Sequence, residues 1–236
     1  MILKLLLAAA AVAAAPVWVG RFSGQGAPPA PWRVVRVNKQ ARPTIYSLAT
    51  IGGVGAVEAR ADNAMALLAR PLAVDLAVTP ILCWRWRIDA PVARADMRTR
   101  AGDDYAARVY VAFDMPDSAL SLAARMRLAL GRRLFGSAIP DAALNYVWDN
   151  RNAVGVHRRS AYTDRVEMIV AETGATRAGE WVSERADVGA DFARAFGGRG
   201  RPIQLAIASD TDNTGSRARA AFADLHFVAR TERCAA

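Results

Sequence analysis

Cysteine and histidine are both scarce in this chain, which removes several familiar classes of catalytic and metal site. The two cysteines, Cys83 and Cys234, form no Cys-x-x-Cys pair and show none of the Cys/His spacings typical of structural zinc. The two histidines, His157 and His226, are accompanied by no Gly-x-Ser-x-Gly segment, so no Ser/His/Asp arrangement is recognisable. The glycine-rich stretch 52–55 lacks the lysine of a phosphate-binding loop and is interpreted as a turn.

Lysine is also nearly absent, and arginine supplies most of the positive charge. The chain has 31 Lys and Arg against 22 Asp and Glu, a net charge of +9. The simplest interpretation is a solvated basic surface, because Arg and Lys charge a surface alike. The alternative is attraction to anionic polymers such as acidic glycans, lipopolysaccharide or phospholipid head groups. Nucleic acid is not an expected partner, because no recognition motif is present.

The N-terminus, Met1–Val19, has the layout of a secretory signal peptide. Lys4 precedes a long apolar run that ends in small residues, and cleavage is expected after Ala15. Pro16 is unfavourable for a peptidase, so an uncleaved N-terminal anchor is the alternative. Either way we expect a periplasmic or secreted protein. An oxidising compartment permits disulfides, but Cys234 lies in a segment expected to fray, so we expect two free thiols.

Beyond the signal, the sequence predicts one domain. Residues 20–31 form a Gly/Pro-rich linker, 32–229 form the domain and 230–236 form a tail. About ten short strands occur without an alternating strand–helix rhythm, which predicts an all-β, antiparallel two-sheet sandwich, jelly-roll-like, with one or two short peripheral helices. One helix is expected at Ser118–Leu134, where it covers a sheet end or lies on an anionic membrane surface. The second is expected at Val188–Phe196, ended by glycines.

The stretch from Thr79 to Asp114 organises the rest of the chain. Its strands Leu82–Ile88 and Ala107–Phe113 alternate apolar and polar residues, which is typical of half-buried antiparallel strands. We expect Trp84 and Trp86 to face the core, with arginines emerging together on the reverse side of the same layer. A hairpin is also expected from the strands 56–61 and 64–69, joined by an Asp-Asn turn.

Four segments of the chain carry a family resemblance. They read Trp84-Arg85-Trp86, Gly102 to Tyr110 (GDDYAARVY), Tyr146-Val147-Trp148-Asp149-Asn150 and Asp210 to Gly215 (DTDNTG). In this order the chain resembles the DUF3047 family, exported bacterial proteins of unknown function, from about Trp32 to Val228. Members usually have Trp-Ser-Asn where this chain has Trp-Asp-Asn. The resemblance implies no activity, so no catalytic residue is transferred from it.

The best candidate for a binding surface is the sheet face opposite the core. The guanidinium of arginine forms paired hydrogen bonds to carboxylates, sulfates and phosphates, and tyrosine stacks on sugar rings. The alternative is a salt-bridged or covered face, with Arg87 and Arg108 paired to Asp89 and Asp104. The residues predicted to share the binding face are Arg85, Arg87, Arg108, Tyr110, Asn145, Glu167, Gln204 and His226.

A calcium site is the second candidate. Asp210, Asp212 and Asn213 offer three oxygen ligands close together, and Asp103 and Asp104 complete the set if the two loops meet. The alternative is a tight turn held by Asx side chains. As neighbours in an extended segment, Asp103 and Asp104 point to opposite sides, so they are not expected to act as a catalytic pair.

The sequence therefore favours an exported envelope protein that binds a glycan-like, anionic ligand through the polar face of a β-sandwich. One alternative is a polysaccharide lyase or glycoside hydrolase on the same scaffold, using Tyr105 or Tyr110 with an arginine or a carboxylate. Another is a calcium-stabilised structural or assembly protein. The catalytic residues of such an enzyme, and the oligomeric state, are not indicated by the sequence.

Overall fold

The computed structural model describes residues 15–122, 125–126, 140–198 and 200–235. These residues form two packed sheets, as expected, and one α-helix, α1 (Val188–Phe196), whose bounds match the prediction. The strands are β1 (Val17–Gly20), β2 (Arg33–Val35), β3 (Ile45–Ile51), β4 (Val54–Asp62), β5 (Leu67–Pro71), β6 (Ile81–Ile88), β7 (Arg108–Asp114), β8 (Ala142–Asp149), β9 (His157–Arg159), β10 (Val166–Thr173), β11 (Val182–Asp187), β12 (Arg201–Ala208) and β13 (Arg217–Val228).

The strands divide into two sheets, here called sheet I and sheet II. Sheet I has the order β11-β6-β13-β4-β3, with β1 also pairing β13, and sheet II has the order β2-β5-β12-β7-β8-β10-β9. From β4 to β7 the chain crosses between the sheets at every step, and it does so again at every step from β10 to β13. These crossings give the sandwich its jelly-roll-like character. All described pairs are antiparallel except β8 with β10, which run parallel.

The core lies between the sheets and is rich in aromatic residues. Trp84 and Trp86 of β6 are 2% and 0% exposed, which confirms that they face inward. Their rings reach the opposite sheet, at 5.4 Å from Tyr146 and 5.7 Å from Trp148, measured between ring centroids. Period-two alternation thus places the large side chains of both sheets in one shared layer.

Two predicted strand pairings are wrong. β6 and β7 were expected to flank a turn within one layer, and β4 and β5 were expected to form a hairpin. The structure places β4 and β6 in sheet I and β5 and β7 in sheet II. Residues 63–66 and 89–107 therefore carry the chain across the sandwich. The turn residue Asn63 does have a positive φ, 46°, as an Asp-Asn turn requires.

Both ends of the described chain join the sandwich. β1 begins at Val17, just after the expected cleavage site, and pairs with β13. Phe22, within the segment predicted as a linker, and Trp32, just after it, are buried in the core, whereas most residues from 23 to 31 are exposed. Cys234 is bonded to Cys83, so the expectation of two free thiols is wrong. Cys234 also packs beside Ile81, Cys83 and Val228.

Two predicted segments lie largely outside the described residues. Residues 1–14 of the signal peptide are not described, nor is most of the helix expected at Ser118–Leu134. Ser118 itself lies in a short 3-10 turn, Asp117–Ala119. Among the described residues, no helix has the length and apolar character needed to cross a membrane.

Candidate functional site

The residues predicted to share one binding face are divided between the two sheets. Arg85 and Arg87 lie on β6 of sheet I, whereas Arg108 and Tyr110 lie on β7 of sheet II. The prediction that these arginines emerge together on one layer is wrong, because a sandwich turns the outer faces of its sheets in opposite directions. Asn145 and Gln204 belong to β8 and β12 and so accompany Arg108 on sheet II.

Arg108 is a buried structural residue, with 2% of its surface exposed. Its Nε and Nη2 donate to the two carboxylate oxygens of Asp210, each at 2.7 Å, and Nη2 also donates to Oδ1 of Asp103 at 2.9 Å. Burial alone would lower the pKa of Arg108, but Asp210 and Asp103 raise it well above its ordinary value. The guanidinium is therefore charged, bonded through Nε and Nη2 to acidic partners, and too deeply buried to meet a ligand. The predicted ion pair between Arg108 and Asp104 is replaced by ion pairs with Asp103 and Asp210.

The other sheet II candidates differ in exposure. Asn145 is 1% exposed, and its Oδ1 has no hydrogen-bond partner in the part of the chain that the structure describes. Tyr110 lies opposite Asn145 and is partly exposed, although burial raises its pKa above the ordinary value. Gln204 is also partly exposed, but it lies opposite Ala112 and not opposite Tyr110.

The two acidic loops do meet, as the calcium hypothesis requires. Oxygen atoms of Asp104, Asp210 and Asp212 lie within 4.8 Å of one another. Most of these oxygens already accept hydrogen bonds: Asp104 accepts from the backbone N–H of Asn213 and of Thr214, at 3.2 and 2.6 Å. Asp212 alone keeps a buried oxygen, Oδ1, without a partner among the described residues. The arrangement can hold a cation only beside the guanidinium of Arg108.

The outer face of sheet I has a different character, because its floor consists of small residues. Ala56, Ala221 and Ala223 are buried there, with Ile51 and Trp181 packed against them. Alanine leaves room above the strands, and a depression of about 60 Å³ opens beside this floor. The depression, here called the sheet I groove, is lined by Ile51, Glu58, Arg87, Asp89, Arg219, Ala220 and Ala221.

One wall of the groove is an ion-pair cluster around Glu58. This carboxylate is 2% exposed and pairs with the guanidinium groups of Arg60 and Arg219. Arg219 also lies 3.7 Å from Asp89, measured between Nη1 and Oδ2. β4 and β13 pair so that Ala221 lies opposite Glu58. The buried charge of Glu58 therefore positions two arginines at the rim.

A further ion pair lies beside the groove, at a β-bulge in β13. The pairing of β13 with β6 shifts between Ala223 and His226, and Asp224 within this bulge has a positive φ of 54°. Asp224 accepts a hydrogen bond from Nε of Arg85 at 2.6 Å and a second from its Nη2. Bulges of this kind re-aim side chains and concentrate near functional sites. Here the bulge engages Arg85, which lies 5.8 Å from the Trp181 ring centroid.

Arg87 is the exception among the groove arginines. It is half-buried beside Gly179, yet it forms no ion pair or hydrogen bond with any residue that the structure describes. The predicted pairing with Asp89 is not present, because Asp89 faces Arg219 instead. A partly desolvated guanidinium with five free donors is a strong site for a carboxylate, sulfate or phosphate.

His226 is separated from the groove by burial. It is 1% exposed, stacks on Trp18 with 4.4 Å between ring centroids, and lies against the Cys83–Cys234 disulfide. The predicted role as an exposed ligand residue is therefore wrong for this side chain. Sequence reasoning missed its stacking partner because Trp18 fell within the expected signal peptide.

Several residues in and beside the groove were also missed from the sequence. Glu58 and Arg219 lie in the same phase as Ala56 and Ala221, and that alternation could have placed them on the outer face. The partner strands of β6 could not be deduced, so nothing linked these residues to Arg87. The residues added by the structure are Glu58, Arg60, Trp181, Arg219 and Asp224.

Together these features define a class of protein: a jelly-roll-like β-sandwich with an alanine-floored, arginine-lined groove on one outer face. The chain belongs to the DUF3047 family, whose model is described as a protein of unknown function and matches residues 30–226. No curated protein matches the chain. The matched range includes every groove residue and the Arg108 cluster, but leaves out β1 and Cys234.

Proposed function

We propose that this protein is an exported envelope protein that binds an anionic, glycan-like ligand in the sheet I groove without catalysing a reaction. The observation that carries the proposal is Arg87, a half-buried guanidinium without a described partner at the edge of an alanine floor. A carboxylate or sulfate group of a polymer is the partner that its planar fork fits best.

The dimensions of the groove fit one charged group of a larger ligand. A volume of about 60 Å³ has room for a few water molecules, or for a carboxylate or sulfate, but not for a whole sugar ring. The rest of the ligand would lie along the open face, across Arg219 and Trp181. The Nε1 of Trp181 donates to the carbonyl of Ile51 at 2.9 Å, which holds the indole in place for apolar contact with a sugar.

Export is supported by two independent features. The apolar N-terminal run has the layout of a signal peptide. The Cys83–Cys234 disulfide is a bond that persists in oxidising compartments. A periplasmic or secreted location would also bring the basic surface into contact with acidic polysaccharides.

Binding can be tested by calorimetry with oligogalacturonate as the anionic probe and a neutral dextran oligomer of equal length as the control ligand. Loss of one charge-assisted hydrogen-bonding partner costs about 1.5–3 kcal/mol, so Arg87→Ala should weaken binding about 10-fold to 100-fold. Arg33→Ala removes an equally charged, exposed residue of β2 in the other sheet and should leave the affinity unchanged. Equal affinity of the Arg87 variant and the parent protein would refute the proposal.

A lyase or hydrolase is the rival function, and the geometry favours it less. Tyr105 is fully buried, and burial raises its pKa, so neither exposure nor acidity suits it to proton transfer. Tyr110 is on sheet II, away from the groove. Incubation with polygalacturonate should release neither new reducing ends nor unsaturated products. Turnover that is abolished by Tyr105→Phe or Tyr110→Phe would establish the enzyme instead.

A further inference from the structure

A second cluster lies on sheet I beyond the groove, where the C-terminal tail meets β6 and β13. Ligand atoms of Cys83, His226 and Cys234 all lie within 4.8 Å of one another. Two sulfur atoms and one imidazole nitrogen at this spacing are the donor set of a zinc site with one open position. We propose that, once a dithiol reductant has opened the Cys83–Cys234 disulfide, these three residues bind one Zn²⁺ ion.

The imidazole of His226 has the tautomer that a zinc ligand needs, and the zinc ion would replace the Ala235 N–H at its Nε2. Its Nε2 accepts a hydrogen bond from the backbone N–H of Ala235 at 2.9 Å, so this nitrogen carries the lone pair. Its Nδ1 therefore carries the proton and donates to the carbonyl of Asp224 at 2.6 Å. Zinc-bound histidines are held in the same way, with the second ring nitrogen donating to a carbonyl or carboxylate.

The surroundings fix the orientation of the His226 imidazole ring. The stacked Trp18 ring covers one face of the imidazole, and both ring nitrogens are hydrogen-bonded. An imidazole that is already held in one orientation loses little rotamer freedom when it binds a metal.

The dithiol reductant supplies the electrons and protons that are needed to open the disulfide. The dithiol gives two electrons and two protons to the disulfide and becomes a cyclic disulfide, leaving Cys83 and Cys234 as thiols. Zn²⁺ then displaces both thiol protons and keeps its oxidation state. The sulfur atoms must separate to about 3.7 Å, the spacing of two thiolates on one tetrahedral zinc ion. Cys234 can make this movement, because it lies outside regular secondary structure while Cys83 is fixed in β6.

The experiment compares the oxidised and reduced full-length protein in an oxygen-free buffer, after removal of the dithiol by gel filtration. Zn²⁺ uptake is measured by competition with a chromophoric chelator, and Co²⁺ reports thiolate ligation through its charge-transfer absorption. The reduced protein should bind one equivalent of Zn²⁺ and melt at a higher temperature with zinc than without it. The oxidised protein should bind none at the same site.

Two variants separate ligation from a structural effect. His226→Ala should weaken zinc binding at least about 10-fold in the reduced state, whereas His157→Ala, which removes the only other histidine, should leave it unchanged. In Cys234→Ser, Cys83 is a free thiol without any reductant. The folding of this variant can therefore be checked by circular dichroism before titration. It should lose high-affinity zinc binding. Absence of zinc uptake by a reduced, folded protein, or unchanged uptake by the His226 variant, would overturn the proposal.

Discussion

Arg87 and Arg108 both lie within strands, in the phase opposite to the core, yet they differ in burial and in the partners of their guanidinium groups. Arg108 is buried on sheet II and its guanidinium donates to Asp103 and Asp210. Arg87 is half-buried on sheet I and has no partner within the described residues. The first arrangement satisfies a charge inside the protein, and the second leaves a charge available to a ligand.

The difference lies in what each neighbouring loop supplies. The loops at 103–105 and 210–214 bring the carboxylates of Asp103 and Asp210 to Arg108, and the Tyr105 ring centroid lies 4.4 Å from the Arg108 guanidinium carbon. Opposite Arg87, β13 has Ala221, and Asp89, two residues further along the chain, is turned toward Arg219. Polarity on an outer face therefore says little about function until the partners of each charge are known.

The largest expected loss of stability follows from replacing the buried arginine, Arg108. Arg108→Met keeps much of the apolar stem but leaves Asp210 and Asp103 without their cation, so the free energy of unfolding should fall by about 3–5 kcal/mol. Urea denaturation followed by tryptophan fluorescence measures this change. The matched variant Arg87→Met should change stability by less than about 0.5 kcal/mol. Similar losses in both variants would contradict the distinction between the two arginines.

The strands of the sandwich and its helix could be predicted from the sequence, because each is determined by residues that are close together in the chain. Alternation within Leu82–Ile88 follows from the two-residue period of a strand, and the inward position of Trp84 and Trp86 follows directly. The helix at Val188–Phe196 was likewise readable, since Asp187 caps its start and Gly197 ends it with a positive φ. Each of these features depends on residues close together in the chain.

The pairing of strands depends instead on contacts across the molecule. An Asp-Asn turn after β4 is compatible with a hairpin or with a crossing to the other sheet, and only packing decides between them. The same reason hides the disulfide, because Cys83 and Cys234 are 151 residues apart. The sheet I groove was therefore only half predicted: Arg85 and Arg87 were identified, while Glu58 and Arg219 needed the pairing of β4, β13 and β6.

The next effect on stability concerns Glu184, a partly buried carboxylate that forms no ion pair within the described residues. Glu184 accepts a hydrogen bond from Trp86 Nε1 at 3.1 Å, and burial raises its pKa from 4.5 to about 7. A raised pKa means that the folded state favours the protonated acid, so its stabilising effect is complete below pH 4.5 and is lost as pH rises through 7. That loss amounts to about 3 kcal/mol.

Glu184→Gln removes the titration while retaining an oxygen that can accept from the indole N–H. The difference in unfolding free energy between variant and parent should therefore grow in favour of the variant between pH 4.5 and 7.5. Urea titrations at five pH values across this range measure the difference directly, and the contributions of other groups cancel. A difference that is independent of pH would show that Glu184 is ionised in the fold.

A smaller change in stability, together with a change in ligand affinity, is expected from replacing Asp224 beside the groove. Asp224→Asn keeps a residue that tolerates positive φ but weakens the ion pair with Arg85, which is only partly buried, so stability should fall by about 1 kcal/mol. The released guanidinium adds a second donor to the groove, and oligogalacturonate should bind more tightly. Calorimetry measures the affinity. Weaker binding would place Asp224 among the ligand contacts and make Arg85 a positioning residue.

The smallest effect is expected from calcium. Asp210 is occupied by Arg108 and Asp104 by backbone N–H groups, so millimolar Ca²⁺ should raise the melting temperature by less than about 1 °C. A site filled at 100 times its Kd would add about 2.7 kcal/mol, which corresponds to several degrees in a chain of this size. A rise of that size that disappears in Asp212→Ala would mean that the loops release their internal hydrogen bonds to bind the ion. The Arg108 end of the molecule would then be a ligand site as well, and the contrast with Arg87 would no longer hold.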